Sequence, residues 1–225
     1  QIIIGPFLIS IGGKGVTLTI FLFLVNFFIL FKLIVEIKLI ILLFFENFSL
    51  PNILLATLGV IPKKILEDYN IDCKVVHSNV DEDRAKESLL ENGATPEIIS
   101  KNLAELKSIK ISNKFPDQLV LGADSVISLN ENLINKPNSR DEAISILKKL
   151  NNTTHYLISS VCISKNGSMI WNYTDKSELK MKYFNDKQLL EYLSKIKTET
   201  LLAYGVYQVE ANGLDLFEHI KGDRN

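Results

Sequence analysis

Cysteine is almost missing from this sequence: Cys73 and Cys162 are the only two in 225 residues. They form no Cys-x-x-Cys pair and no zinc pattern, and both sit in apolar, strand-like contexts. Two buried, reduced thiols are therefore expected rather than a disulfide framework, which points to the cytoplasm. Histidine is equally scarce. His77, His155 and His219 are scattered, with no His-x-His or His-x-x-x-His spacing, which argues against a His-rich metal centre. An excess of one charge is lacking too, with 25 Lys plus Arg against 26 Asp plus Glu. A general nucleic-acid-binding protein needs a basic surplus to displace counterions from phosphates, so that class is excluded. After residue 51 there is no repeat and no low-complexity linker.

What charge there is lies unevenly. Residues 1–50 hold five charged residues and nine of the twelve Phe. A boundary near Pro51 follows, with an apolar extension before it and a globular domain, residues 51–225, after it. Val16 to Phe31 is uncharged but short of the roughly 20 apolar residues that span a bilayer. Lys32, Glu36 and Lys38 then interrupt an apolar run that continues to Phe45. Phe/Ile/Leu monotony of this kind is typical of translated AT-rich DNA, so a spurious or vestigial extension is the first reading. A membrane helix within residues 16–45, with Lys32 snorkelling, is the second, and a part of the fold the third. A signal peptide fits poorly, because the apolar stretch is too long and no small-residue cleavage site follows.

From Ile53 onward strands and helices are intermixed. Ile53 to Ala56 reads as a buried strand, Pro62 to Tyr69 as a helix and Cys73 to Val76 as a second strand. Asp81 to Asn92 is charged and helix-prone. Thr95-Pro96 opens a clearer helix, with Thr as cap and Pro where its missing N–H costs nothing. Ile98, Ile99, Leu103, Leu106 and Ile109 would form its apolar face. Gln118 to Gly122 reads as a buried strand ending in the polar pair Asp124-Ser125, with Val126 to Leu129 continuing it. Ser139 and Glu142 have capping-box spacing before a helix burying Ile144, Leu147 and Leu150. Tyr156 to Ser164 alternates as a strand, Lys165-Asn166-Gly167 turns, and Met169 to Tyr173 returns. Ser177 to Tyr183 alternates again, and Asn185 caps a helix through Leu189, Leu190, Tyr192, Leu193 and Ile196. This intermixing predicts an α/β class with a mixed sheet flanked by helices.

Three segments invite chemistry. In Val120 to Val126 a buried strand delivers Asp124 between small neighbours, which would let a bulky ligand approach the backbone. A turn aspartate is the plainer alternative. Asn135-Lys136-Pro137 puts a stiff residue just after a lysine that could meet a phosphate, or that is an ordinary loop lysine. Asp81-Glu82-Asp83 could hold a hard divalent cation, or could be a solvated helix N-terminus, where acids are favoured anyway.

Taken in order, these segments resemble the Maf family of nucleoside triphosphate pyrophosphatases from about Asn52 to Asn225. The family opens with a strand ending Leu-Ala-Ser and a Ser-x-Ser-x-x-Arg loop, matched by Leu55-Ala56-Thr57-Leu58-Gly59-Val60-Ile61-Pro62. Its Asp-Val-Asp-Glu looks like Asn79-Val80-Asp81-Glu82, and its Leu-Ala-x-x-Lys like Leu103-Ala104-Glu105-Leu106-Lys107. Its Gly-Ala-Asp-Thr appears as Gly122-Ala123-Asp124-Ser125, and its Gly-Lys-Pro as Asn135-Lys136-Pro137. Ala203-Tyr204-Gly205-Val206-Tyr207-Gln208 resembles Ala-Tyr-Gly-Ile-Gln with one extra residue, and Gly222-Asp223 a late Gly-Asp.

The resemblance implies a Maf/ITPase-like architecture with a cleft between two lobes, and hydrolysis of a modified or otherwise non-standard nucleoside triphosphate to the monophosphate and pyrophosphate. It implies a divalent metal cation, Mg2+ or Mn2+, held with the help of Glu82 and Asp124. Asp124 would be the proton acceptor that activates water, and Lys107 and Lys136 would neutralise phosphate charge. Thr57, Pro62 and Lys63 stand at the phosphate loop, and Pro62, Ser125 and Gln208 at positions tied to nucleotide choice. A homodimer is common in the family. The spacing before Gln208 hints at the branch acting on methylated guanine nucleotides. Proline replaces the loop arginine at Pro62, and Lys63 cannot reproduce a bidentate grip. The sequence stops at Asn225, before the family's Gly-Leu-Pro segment. A divergent copy is therefore expected, with a catalytically impaired, nucleotide-binding or regulatory remnant as the alternative function.

Overall fold

The computed structural model describes residues 53–56, 63, 66–67, 71–207 and 212–222. The expectations for residues 1–50, and most of the helix expected over Pro62 to Tyr69, lie outside them. Seven strands form one mixed sheet: β1 (Ile53–Leu55), β2 (Cys73–Val75), β3 (Val120–Leu129), β4 (Asn132–Ile134), β5 (Thr154–Lys165), β6 (Ser168–Met181) and β7 (Phe217–Lys221). Their order is β2-β1-β3-β5-β6-β7, with β4 paired to β3. β1 runs parallel to β2 and β3, and every other pairing is antiparallel. The described helices are α1 (Glu82–Glu91), α2 (Pro96–Ser112), α3 (Arg140–Leu150), α4 (Asp186–Ser194) and α5 (Thr198–Tyr204). None of the described helices is long and apolar enough to cross a membrane.

Local chemistry sets the boundaries. Thr95, Ser139 and Asn185 cap α2, α3 and α4 by accepting hydrogen bonds from the N–H groups of Ile98, Glu142 and Gln188. The Glu142 carboxylate reaches back to the Asn138 N–H rather than to that of Ser139. Both two-residue hairpins hold their central residues at positive φ. These are Asn166 and Gly167 between β5 and β6, and Asn130 and Glu131 between β3 and β4.

The structure departs from the sequence expectations in three places. Val126 to Leu129 does continue β3, but Asp124 lies within the strand rather than at a polar end, because β5 pairs with β3 throughout, Asp124 opposite Ser160. What ends there is β1, whose last register pair is Leu55 with Leu121. The two short strands expected after Gly167 are one 14-residue strand, β6, held along its length by β5. On α2, Ile98 and Leu106 face solvent. Its buried face instead includes Ser100, Ala104, Ser108 and Ser112 beside Ile99, Leu103 and Ile111.

That stripe of small residues lets α2 lie close against β3 and β5. A Cβ on Gly122 would stand 2.3 Å from the Ala104 carbonyl oxygen. The small residue before Asp124 thus admits the protein's own helix. Side chains along the stripe complete the contact: Ser100 Oγ donates to the Asp124 carbonyl, and Ser108 Oγ meets Ser164 Oγ at 2.7 Å. On the other face of the sheet sit two apolar clusters. One gathers Leu121 and Ile163 with Leu66 and Ile71; the other gathers α3, α4 and α5 over Leu179 and Met181, with Ile127 and Leu157 against it. By strand alternation, the Ser125–Ser159 hydroxyl pair, at 2.8 Å, lies on that face between them. Cys162 is buried and Cys73 half-buried, and both are free.

Candidate functional site

Two carboxylates meet one ammonium where α1, α2 and β3 converge. Lys107 Nζ, on α2, lies 2.6 Å from Asp124 Oδ1 and 2.8 Å from Glu82 Oε1. The Ala123 carbonyl stands 3.5 Å from the same nitrogen, so all three of its donors have an acceptor. The Lys107 and Asp124 side chains are each 8% exposed. Asp124 Oδ2 is buried and has no hydrogen-bond partner among the described residues.

Each member is placed by its element. Asp124 follows Gly122 on the β3 face that α2 covers, because strand residues two apart share a face. The approach of α2 at Gly122 brings Lys107 alongside. The three acids expected to act together diverge. Asp81 caps α1 by accepting from the Arg84 N–H at 3.1 Å, Asp83 is exposed, and only Glu82 turns to Lys107. Among the described residues no group of three or more His, Cys, Asp or Glu is placed to hold a metal.

The charges adjust to one another. Burial pushes the Glu82 carboxyl up, but Lys107, then Lys136 and Lys86, together hold it below the usual carboxylate range. Burial disfavours the Lys107 ammonium, yet Asp124 and Glu82 outweigh that and raise its pKa. For Asp124 burial prevails: its carboxyl is raised, with Glu82 adding to the effect and Lys107 opposing it. Lys136, on the segment between β4 and α3, thus lies within electrostatic reach of Glu82.

The remaining expected residues stand apart or outside view. Ser125 is exposed and, by alternation, points away from the Asp124 side of β3. Lys63 pairs with Glu67 at 3.3 Å. Thr57, Pro62, Gln208 and Asp223 lie outside the described residues. Lys86 was not foreseen. Its position four residues after Glu82 on one helix was the available signal, since such residues are neighbours on the helix surface.

The donor set suits a hard divalent cation. Asp124 Oδ2 is a buried carboxylate oxygen without a hydrogen-bond partner among the described residues, and Glu82 Oε2 lies 3.9 Å from Lys86 Nζ. Magnesium-like ions are held by one or two carboxylates, with water and substrate phosphates supplying the rest.

A family profile described as Maf-like protein matches residues 52–225. A nucleoside triphosphate pyrophosphatase of Pelagibacter ubique is 58% identical over 174 residues, covering 77% of this chain and 89% of that protein. A 7-methyl-GTP pyrophosphatase of Rhizobium johnstonii is 33% identical over 77% of this chain and 87% of its own length. The solved Ham1 protein of Staphylococcus aureus aligns at TM-score 0.36 and 16% identity over 58% of this chain and 71% of that one, a likeness too slight to decide anything. The profile takes in both carboxylates and the lysine between them, and the relatives align over nearly their whole length, so this chain belongs to the Maf-like protein family.

Proposed function

We propose that the protein is a nucleoside triphosphate pyrophosphatase, in which water attacks the anhydride between the α and β phosphates and releases a nucleoside monophosphate and pyrophosphate. The observation that carries this reading is the Asp124–Lys107–Glu82 cluster, with one Asp124 oxygen held by Lys107 and the other buried with no hydrogen-bond partner among the described residues. Asp124 is the proton acceptor. Lys107 fixes its Oδ1, leaving Oδ2 for the attacking water.

Lys136 offsets phosphate charge. By their match to the family's motifs, Thr57, Pro62 and Lys63 belong to the phosphate loop and Gln208 to the positions tied to nucleotide choice; Ser125 matches such a position too, but its side chain lies on the β3 face away from Asp124. Glu82 and Asp124 are the carboxylates that would hold Mg2+ or Mn2+. Such a cation supplies charge neutralisation at the phosphate oxygens that the lysines alone do not provide. The Rhizobium relative's name favours a methylated guanine nucleotide as the substrate class. The domain spans residues 51–225, works as a cytoplasmic homodimer and binds no nucleic acid. A competing reading, a nucleotide-binding remnant without turnover, rests on Pro62 in place of the loop arginine.

The test is pyrophosphate release by the full chain from a panel of standard and methylated triphosphates with Mg2+ or Mn2+. Release reduced at least ~100-fold in Asp124→Asn is expected, the usual scale for losing a general base. Wild-type release no greater than that of Asp124→Asn would sink the enzyme. Nucleotide binding without release, restored to turnover by Pro62→Arg, would assign the fault to the loop.

A further inference from the structure

The ammonium at the centre of the site is already committed. Lys107 faces two carboxylates and a carbonyl, so none of its donors is left for a phosphate. A triphosphate tail brings several negative charges, and the cations that meet it must come from elsewhere.

Lys86 is such a cation. Its Nζ is 3.9 Å from Glu82 Oε2, beyond hydrogen-bond reach, and no hydrogen bond from it is formed among the described residues. An ordinary lysine–glutamate pair one helical turn apart leaves its lysine in water: Lys63 and Lys195, in such pairs with Glu67 and Glu191, are 44% and 62% exposed. Lys86 is 12% exposed. A lysine held mostly out of water, without a hydrogen bond, is unfavourable unless an anion completes it. Its charge reaches both carboxylates of the cluster, since it is among the cations that pull Glu82 and Asp124 toward ionisation.

We propose that Lys86 is a substrate-binding residue, an α1 cation that hydrogen-bonds the polyphosphate of the nucleotide beside Glu82 and Lys107. The proposal rests on the triphosphate reading above. With Lys136 it supplies the positive charge that Lys107 has already given to the two acids.

The full chain would be compared with Lys86→Met, Lys86→Gln and Lys86→Arg, and with Lys195→Met as an exposed control. In the methionine and glutamine variants KM for the triphosphate should rise about tenfold with kcat within about twofold, the pattern of a lost binding contact. Tripolyphosphate binding by calorimetry should weaken by a similar factor. Lys86→Arg should recover most of both, and Lys195→Met should match wild type. Unchanged KM and tripolyphosphate affinity in either neutral variant would overturn the proposal. So would a kcat loss at constant KM, which would mean that Lys86 acts only through Glu82. If the wild type turns over no nucleotide, the enzymatic reading fails, and the tripolyphosphate titration still decides the role of Lys86. If Lys86→Met fails to fold, the glutamine variant serves in its place.

Discussion

Gly122 and Ala104 touch backbone to backbone: a side chain on the glycine would begin 2.3 Å from the alanine's carbonyl oxygen and 2.8 Å from the Ser108 nitrogen. Both obstacles are main-chain atoms of α2, which cannot swing aside as a side chain could. Gly122→Ala must therefore push α2 off β3, at about 1–3 kcal/mol, the usual cost of overpacking a filled core. Urea denaturation would read this loss. Because Lys107 moves with α2, activity should fall even where the variant stays folded. Wild-type stability in Gly122→Ala would mean that the helix does not sit this close.

Removing the shared lysine should cost more. Lys107→Met leaves Glu82 and Asp124 side by side with no ammonium between them. Breaking a buried pair in this way is worth about 3–5 kcal/mol at neutral pH. In the variant each carboxyl is raised by its neighbour, so the folded state takes up a proton more readily than the unfolded chain. Stability should thus recover as pH falls from 7 toward about 5, opposite in sign to the acid loss of ordinary paired carboxylates. Denaturation midpoints at the two pH values check the sign, and a deficit that does not narrow contradicts it.

His155 is enclosed in the core. One ring nitrogen lies 2.9 Å from the Tyr207 hydroxyl and the other has no partner among the described residues. Burial pushes its pKa down to about 4. The unfolded chain therefore binds the proton first on acidification, and stability is complete above about pH 6.5. It declines as pH falls from there to about 4, by roughly 3 kcal/mol. His155→Gln, which cannot titrate, should flatten that part of the pH–stability curve. An unaltered slope would mean that other groups carry it.

Arg140 opens α3 and ties it to the far end of α4. Its guanidinium donates to the Leu193 carbonyl and Thr198 Oγ1 at 2.9 and 3.0 Å, and to the Ile196 carbonyl. Arg140→Met should cost about 1.5–3 kcal/mol, as for charged hydrogen bonds. Hydrogen exchange should accelerate selectively across the connection between α4 and α5. Uniform acceleration over the molecule would instead indicate a general loss of packing.

Several features were legible because they depend on near neighbours in sequence. Thr95-Pro96, Ser139 with Glu142, and Asn185 all mark real helix starts, since capping is decided within one turn. Asn166-Gly167 marks a real hairpin because positive φ favours those residues. Ile98 and Leu106 misled, because apolar periodicity assumes that the apolar side is the buried one. On α2 the contact runs through serine and alanine, whose value is their smallness against a flat strand. α5 and β7 were not foreseen. The seven-residue helix carries only a weak pattern, and β7 owes its extension to β6.

Of the site, residue order within the motifs identified Asp124, Lys107 and Glu82 as candidates, although 17 positions separate the first two. That list of residue types, and the family they point to, was available from the linear chain. Which of three adjacent acids turns inward, that one ammonium serves two carboxylates, and that Lys86 lies covered beside them were settled only by folding. These depend on how closely α2 approaches β3 and on where α1 docks. Both are set by contacts between segments distant in sequence, and no local rule of charge or periodicity contains them.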